Sequence, residues 1–365
     1  MTEETLTSVR RRIGEIDEEI MRLVCSRIKE AEKIGKIKRD RRVPVRDFTV
    51  EAQVIERAES VCESSGIDRQ IGRDIAKSLI LASVSAQTSS STPVYEGKSR
   101  KILIVGGSGK MGRWYANFFN VQGHEVIVND IVPSSGYRFD GDLLHAAKSA
   151  DIILLSTPIS ATAGLLSTLI DAGCDATIMD GCSLKSPLMS EIRRGILKGT
   201  KIASIHPMFG PGTRMLADQN LVICDCGSRD AVEDASSLFR DTSLNITVLE
   251  LERHDELMAY VLGATHALNI AFFNMLAGSA FSKAELSRFA STTFTHQLST
   301  ASDVANENPM LYYEIQNMNI YRSTVFSTLI KSMEEVRDCA FSGRPDAFTS
   351  LMKKGREYMG DARRE

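Results

Sequence analysis

The chain has 365 residues, 43% of them hydrophobic and 25% charged, with a formal net charge of −3. That length allows two or three domains of ordinary globular composition, and the near-balanced charge gives no reason to expect a nucleic-acid or membrane-surface partner. Seven cysteines, an odd number without a CxxC pair, point to reduced thiols in a cytoplasm; the first residues are acidic and helix-forming rather than a basic and then apolar leader.

In chain order, the first signal is helical. Leu6, Val9, Ile13, Ile16, Ile20, Leu23, Ile34 and Ile37 step by threes and fours, which predicts one long amphipathic helix with a heptad-like seam. Continuing the steps from Leu23 puts Arg27 and Glu30 on that seam, where a charge needs a partner or a ligand. Lys38 lies about 16 Å beyond Arg27 on the same side, while Arg10 is about 25 Å up the helix and a quarter turn round. Arg10 therefore reaches a small site around Arg27 more easily from an antiparallel partner than from its own chain. After a break at Val43-Pro44, a second helix places Asp47 and Glu51 on one face. A third, Asp68 to about Thr88, does the same with Ser83 and Gln87. Cations, carboxylates and a neutral polar pair on three helices suit a small polar dianion, and equally a solvated charged face on a helical dimerisation domain.

Residues 88 to 100, TSSSTPVYEGKSR, read as a linker. Strand and helix patterns then alternate. Strands are predicted at Ile102 to Val105, Glu125 to Asn129, Asp151 to Ser156, Thr177 to Asp180, Lys201 to Ile205 and Leu221 to Cys224. Helices are predicted at Arg113 to Val121, Ala161 to Ile170 and Pro187 to Leu197. The pattern is that of a doubly wound, mainly parallel sheet that takes ligands at the carboxyl ends of its strands. Between the first strand and helix runs Gly107-Ser108-Gly109-Lys110-Met111-Gly112, a GxGxxG spacing. Its first glycine permits the tight turn, its second a close approach to pyrophosphate, and its third helix-on-strand packing. Asp130, about twenty residues on, is placed to accept from a ribose 2′-hydroxyl. No arginine follows it for a 2′-phosphate, so NAD is expected over NADP. Thr157 and Pro158 end another strand at the same edge. His206, in SIHPMFGP, is read as a loop residue after a strand, and Ser183, in DGCSLK, as a hydrogen-bond partner that sets its tautomer. Cys224 and Cys226, alternate residues at a strand end, are read as packing, and no metal site is expected. From Glu252 onward the pattern is helical. The apolar stretch Ala267 to Phe281 is broken by Asn269, Asn274 and Ser279 and is too short to span a bilayer.

With these motifs in view, two resemblances emerge. Arg10, Arg27, Lys38, Asp47, Glu51, Ser83 and Gln87, set in VRRRIGEID, SRI, KIGKIK, VPVRD and ASVSAQ, resemble the all-helical chorismate mutase family. VGGSGKMG, DGCSLK and HPMFGP resemble prephenate dehydrogenase, so that almost the whole chain is similar to a fusion of the two. The implied architecture is an all-α mutase domain (1–90), a linker (91–100), a Rossmann-like NAD-binding domain (101–250) and an all-α dimerisation domain (251–365). The implied activity is rearrangement of chorismate to prephenate, then NAD-dependent oxidative decarboxylation to 4-hydroxyphenylpyruvate, by a cytoplasmic homodimer of tyrosine biosynthesis.

The resemblance also implies roles. Arg10 of the other protomer and Arg27 hold carboxylates, Lys38 and Gln87 reach the ether oxygen, Asp47 and Glu51 take the hydroxyl side, and Ser83 helps fix a carboxylate. His206 is the base, and His266 faces substrate. Two departures stand out: Val50 replaces an arginine of many mutases, and Asp303 stands where many dehydrogenases carry a carboxylate-binding arginine. Arg214, Arg288 or Arg322, or Thr292, Thr293 and His296, are the substitutes to examine. No separate tyrosine-binding module is expected after the last helices. The rival readings are a preference for arogenate, an inactive mutase beside an active dehydrogenase, and a non-catalytic dinucleotide sensor that merely dimerises.

Overall fold

The computed structural model describes residues 5–360 apart from 42–46, 89–98, 134–135, 214–215, 217–218, 241 and 243. The Val43-Pro44 break and most of the predicted linker lie outside the described residues. The described residues form two compact units, Ser183–Pro187 with Glu252–Glu365 in one and the remainder in the other.

In the larger unit the front helices are α1 (Leu6–Asp40), α2 (Phe48–Ser64) and α3 (Arg69–Thr88). Asp47 starts α2 as its N-cap, its carboxylate accepting from Val50 N at 3.1 Å. Ile55, Ala76 and Ile80 make a small core between α2 and α3, and Gly72 lets the two helices close, since a Cβ there would fall on the carbonyl of Ala58. The buried Glu59 ties α2 to Arg69 (2.9 Å) and Arg73 of α3. Those hydrogen bonds, Arg69's first, hold its carboxyl below the usual range. The predicted seam of α1 is left open in the single chain: Ile13, Ile16, Ile20 and Leu23 are 50–64% exposed.

An eight-stranded sheet follows, in spatial order β3-β2-β1-β4-β5-β6-β7-β8. Its strands are β1 (Lys101–Val105), β2 (Glu125–Asn129), β3 (Arg138–Phe139), β4 (Ile152–Leu155), β5 (Thr177–Asp180), β6 (Ile202–Pro207), β7 (Asn220–Asp225) and β8 (Asn245–Glu250). All neighbours pair in parallel except β6 and β7, which run antiparallel. The four central strands are buried over almost every residue, as a sheet covered on both faces requires. The covering helices include α4 (Lys110–Val121), α5 (Leu143–Ala147), α6 (Ile159–Asp171), α7 (Met189–Leu197) and α8 (Arg229–Phe239). The sequence reading does not place β3, α5, α8 or β8: β3 and α5 are too short to show a period, β8 has a weakly apolar, largely exposed pattern, and the apolar face of α8, Ala231, Ala235, Leu238 and Phe239, is built half of alanine. Phe48 of α2 is buried against the sheet's aromatic layer, 6.2 Å from Phe118 of α4, which stacks in turn on Trp114.

The smaller unit is helical. A continuous run of α9 (Leu251–Met258), a π-helical turn (Ala259–Ala264) and α10 (Thr265–Ala277) leads into α11 (Lys283–Arg288), α12 (Thr292–Ala305), α13 (Pro309–Met318), α14 (Arg322–Phe341) and α15 (Pro345–Gly360). The starts are set locally: a Ser282/Glu285 capping box for α11, Ser291 for α12, and Asn308 before Pro309 for α13. By length and composition the run Leu251–Ala277 is apolar enough to cross a membrane, so the stretch judged too short on its own belongs to a longer helix. Within this run, His254, Asp255 and Asn269 are buried and hydrogen-bonded to protein groups.

Candidate active sites

In the front helices, Arg27, Lys38, Asp47, Glu51, Ser83 and Gln87 line one cavity of about 410 Å³. Arg27 sends Nη1 to the Leu79 carbonyl at 2.8 Å and to the Ser83 hydroxyl, which itself donates to the same carbonyl at 2.7 Å. One turn of α3 thus fixes the guanidinium. Burial holds Arg27 below its ordinary pKa; it does the same to Lys38, opposed there by the charges of Asp47 and Glu51. Cations partly stripped of water beside neutral donors suit an anionic ligand, whose carboxylates favour the charged forms. At Gly35 a Cβ would stand 3.0 Å from Gln87 Cα, so the glycine lets α1 approach α3 and brings Gln87 to the cavity. Val50 also lines it, an apolar wall where a cation was considered. Glu30 lines it as well, paired at 2.7 Å with Lys33; its place on the seam was the signal, although it was not assigned to the site. Arg10 is exposed and does not line its own chain's cavity.

In the sheet, the turn after β1 is built of main chain in close contact. Gly106, at φ +81°, donates its amide hydrogen to Asn129 O at 2.8 Å, and a Cβ on it would strike the Ser156 carbonyl. The left-handed residue is therefore Gly106, one place before the predicted motif. A Cβ at Gly112 would strike the Gly106 carbonyl, whereas one at Gly109 would meet only that oxygen, at 3.2 Å. Gly109 is the N-cap of α4 and contributes no side-chain cap, so the helix's first amides and its positive end face whatever the loop holds. Lys110 is exposed and Met111 half-buried at this helix start. Asp130 accepts from Ser108 N at 2.9 Å and from Val132 N at 3.1 Å; the Ser108 hydroxyl reaches Val132 O at 2.7 Å. Arg113, which the sequence reading passed over, anchors the Ser108 carbonyl at 2.7 Å. Across the turn, Thr157 Oγ1 and Thr162 Oγ1 are 2.9 Å apart, and Pro158 caps α6. A turn closed by glycines, an uncapped helix start and a carboxylate at the next strand's end fit a dinucleotide.

His206 corrects its expectation: it lies inside β6, paired with Val222 of β7, and is buried. The Pro207-Met208-Phe209 run suggested a loop, but β7 pairs from the other side and extends the strand to Pro207. Phe209 packs edge-on to Trp114, whose Nε1 donates to Thr213 O at 2.8 Å. Cys224 is buried in β7, and Cys226 Sγ lies 3.6 Å from its carbonyl. Among the described residues no three His, Cys, Asp or Glu side chains converge as metal ligands.

In the helical unit, Ser183 is half-buried at the start of the segment that packs with these helices. His266 stacks on Tyr312, ring centroids 4.2 Å apart at 26°. Burial lowers its pKa to about 4, which keeps the imidazole neutral, and its Nδ1 is buried without a partner among the described residues. The pKa of Tyr312's hydroxyl is pushed up by burial and then by the charges of Glu307 and Asp303. Arg322 donates to Asn319 O at 3.2 Å, Arg288 is exposed, Thr292, Thr293 and His296 lie on α12, and Arg214 falls outside the described residues.

Comparison with known proteins places three family models along the chain. Chorismate mutase type II matches residues 9–88, the nucleotide-binding domain of prephenate dehydrogenase 133–248, and its dimerization domain 250–354. A T-protein of Enterobacter agglomerans is 21% identical over 98% of this chain and 93% of its own length. A probable arogenate/prephenate dehydrogenase of Methanocaldococcus jannaschii is 25% identical over 71% of this chain, which spans 61% of that relative's length. The solved prephenate dehydrogenase of A. aeolicus, in complex with hydroxyphenyl propionate and NAD+, has the same fold: TM-score 0.59, 17% identity, 74% of this chain and 99% of that one.

Proposed function

Since the chain belongs to the type II chorismate mutase family in its front helices and to the prephenate dehydrogenase family beyond them, we propose that it is a bifunctional enzyme of tyrosine biosynthesis. It rearranges chorismate to prephenate and then oxidises and decarboxylates prephenate to 4-hydroxyphenylpyruvate. The observation that carries this reading is the 410 Å³ cavity in which Arg27, Lys38, Glu51, Ser83 and Gln87 meet, in the same chain as a dinucleotide turn. The rearrangement needs no covalent step. Arg27 and Ser83 hold a carboxylate, Lys38 and Gln87 stabilise charge growing on the ether oxygen, and Asp47 and Glu51 orient the hydroxyl. Arg10 of a second copy completes the site.

For the second reaction, Gly107 to Gly112, Asp130, Thr157 and Pro158 would hold NAD, which accepts the hydride when bound. His206 takes the proton of the ring hydroxyl, with Ser183 setting its tautomer, and His266, neutral, hydrogen-bonds substrate. The ring carboxylate leaves as CO₂, and aromatisation makes the step irreversible. The domain division is 1–90, 101–250 and 251–365, joined by the linker 91–100.

We place the enzyme in the cytoplasm as a homodimer. All seven cysteines are free thiols. The open seam of α1 and exposed apolar residues of α14 and α15, among them Phe326, Ile330, Met333, Val336 and Met352, support a second copy. The test is direct: chorismate with NAD⁺ should generate NADH absorbance. Absorbance from prephenate but none from chorismate removes the mutase; none from either removes the dehydrogenase.

A second reading, arogenate as substrate, is supported by Asp303 and Glu307, whose negative charges raise the Tyr312 pKa and would favour an ammonium group over a carboxylate near it. Equal concentrations of prephenate and arogenate, compared by kcat/KM on the purified protein, decide between them.

A further inference from the structure

Asp255 sits on the second turn of α9 with its carboxylate almost fully buried, a placement that is costly unless every lone pair is used. Here the partners are clear. Lys185 N donates to both oxygens, at 2.8 and 3.1 Å, Ser186 N donates to Oδ2 at 2.6 Å, the Ser186 hydroxyl donates to the same oxygen, and His254 Nδ1 lies 2.7 Å from Oδ1. The carbonyl of Asp255 itself accepts from Asn319 Nδ2 at 2.9 Å, a second tie on the same turn of α9. Burial raises the carboxyl's pKa, but the bonds from His254, the Ser186 hydroxyl and the two amides outweigh it and hold the group below its ordinary value. His254 and Lys185 are fully buried around it.

The segment so gripped is the DGCSLK loop that leaves the carboxyl end of β5, where an open α/β sheet takes its ligands. Such a loop is ordinarily held by its own strand and helix. Here Ser183–Pro187 groups with the helical unit instead, and the amides of Lys185 and Ser186 bond the carboxylate of Asp255.

We propose that Asp255 is a positioning residue for the dehydrogenase reaction: through the amides of Lys185 and Ser186 it fixes the main chain that carries Ser183. The inference rests on the reading of Ser183 as the partner of the base. A carboxylate with two equivalent acceptor oxygens meets converging donors; an asparagine has one such oxygen and turns an NH₂ toward another donor.

The experiment is Asp255→Asn in the full chain. The kcat for prephenate oxidation should fall about ten- to a hundredfold, the range expected when a catalytic group is misplaced by up to an ångström. KM for NAD⁺ and the rate of chorismate rearrangement should stay within about twofold, as a fold control inside the same chain. Amide exchange at Lys185 and Ser186 should accelerate. Ser186→Ala, which removes only the hydroxyl donor, should lower kcat in the same direction and less, and Ser186→Thr should restore it. An unchanged kcat in Asp255→Asn overturns the proposal, as does a loss of kcat, NAD⁺ binding and mutase rate in step, which would mark a purely structural residue. Should Asp255→Asn not fold, a Ser186→Ala enzyme with wild-type kcat overturns it equally. If the wild type fails to oxidise prephenate, the functional reading falls, while the exchange measurement still tests the clamp.

Discussion

Gly112→Ala is the most exacting test of the nucleotide turn. A Cβ there would overlap the carbonyl oxygen of Gly106 and stand 2.7 Å from Gly107 Cα and 2.9 Å from Gly106 C, all main-chain atoms. Gly106 has no room to retreat. Its amide is bonded to Asn129 O at 2.8 Å, its φ is +81°, and its other side faces the Ser156 carbonyl. Overpacking a tight site costs about 1–3 kcal/mol, and with rigid backbone as the obstacle the upper end applies. If that strain is relieved by shifting the loop, NAD⁺ binding weakens by about a hundredfold, at 1.4 kcal/mol per tenfold. The protein's single tryptophan, Trp114, lies on α4 two residues beyond the substitution, so its fluorescence offers a binding titration. The mutase rate should be unaffected. Gly109→Ala is the contrast: its one contact, 3.2 Å from the same oxygen, is tight but no overlap, so it should lower Tm much less than Gly112→Ala, yet weaken NAD⁺ by filling the approach to the pyrophosphate. A Gly112→Ala protein that binds NAD⁺ within about threefold of wild type, with an unchanged Tm, would refute the packing argument.

Arg27→Ala should lower the mutase rate by about 10²–10³-fold, as loss of a half-buried cation from a charge-stabilising site does, and leave prephenate oxidation intact; parallel assays of the two reactions check this. Mixing Arg10→Ala with Arg27→Ala chains should restore mutase activity, because one of the two sites in each mixed dimer is whole; no recovery would mean that Arg10 serves elsewhere. Asp130→Ala should lose its preference for NAD⁺ over NADP⁺, since the carboxylate that repels a 2′-phosphate is gone, and should loosen the Ser108 turn; competitive titration of the two nucleotides reads both. His266, lowered from an ordinary 6.5 to about 4 by burial, binds its proton more tightly in the unfolded chain. Its contribution to stability is therefore complete above pH 6.5 and is lost as pH falls toward 4. Thermal midpoints of the wild type should drop across that window more steeply than those of His266→Gln, and parallel curves would refute the shift.

The amino-acid order alone determined whatever a few neighbouring residues can specify. Steps of three and four made α1 to α3 and the helical back, since an apolar face must recur with the helix period. Alternating strand and helix patterns, with the glycine spacing, made the doubly wound sheet and located its nucleotide turn. Resemblance then named the chemistry. What local pattern does not encode is contact between distant segments, and the departures at the sites are of that kind. His206 lies within β6 because β7 pairs antiparallel beside it. Gly106, rather than the first glycine of the motif, takes the left-handed turn because the Ser156 carbonyl blocks any Cβ there. Glu30 joins the mutase cavity, while Arg10 lies too far along a rigid helix to do so. The DGCSLK loop answers to Asp255, some seventy residues later, because a buried carboxylate must find donors and the loop's amides are the ones it meets. Those choices were made by tertiary structure, since only there do main-chain groups far apart in sequence compete for the same space and the same hydrogen bonds.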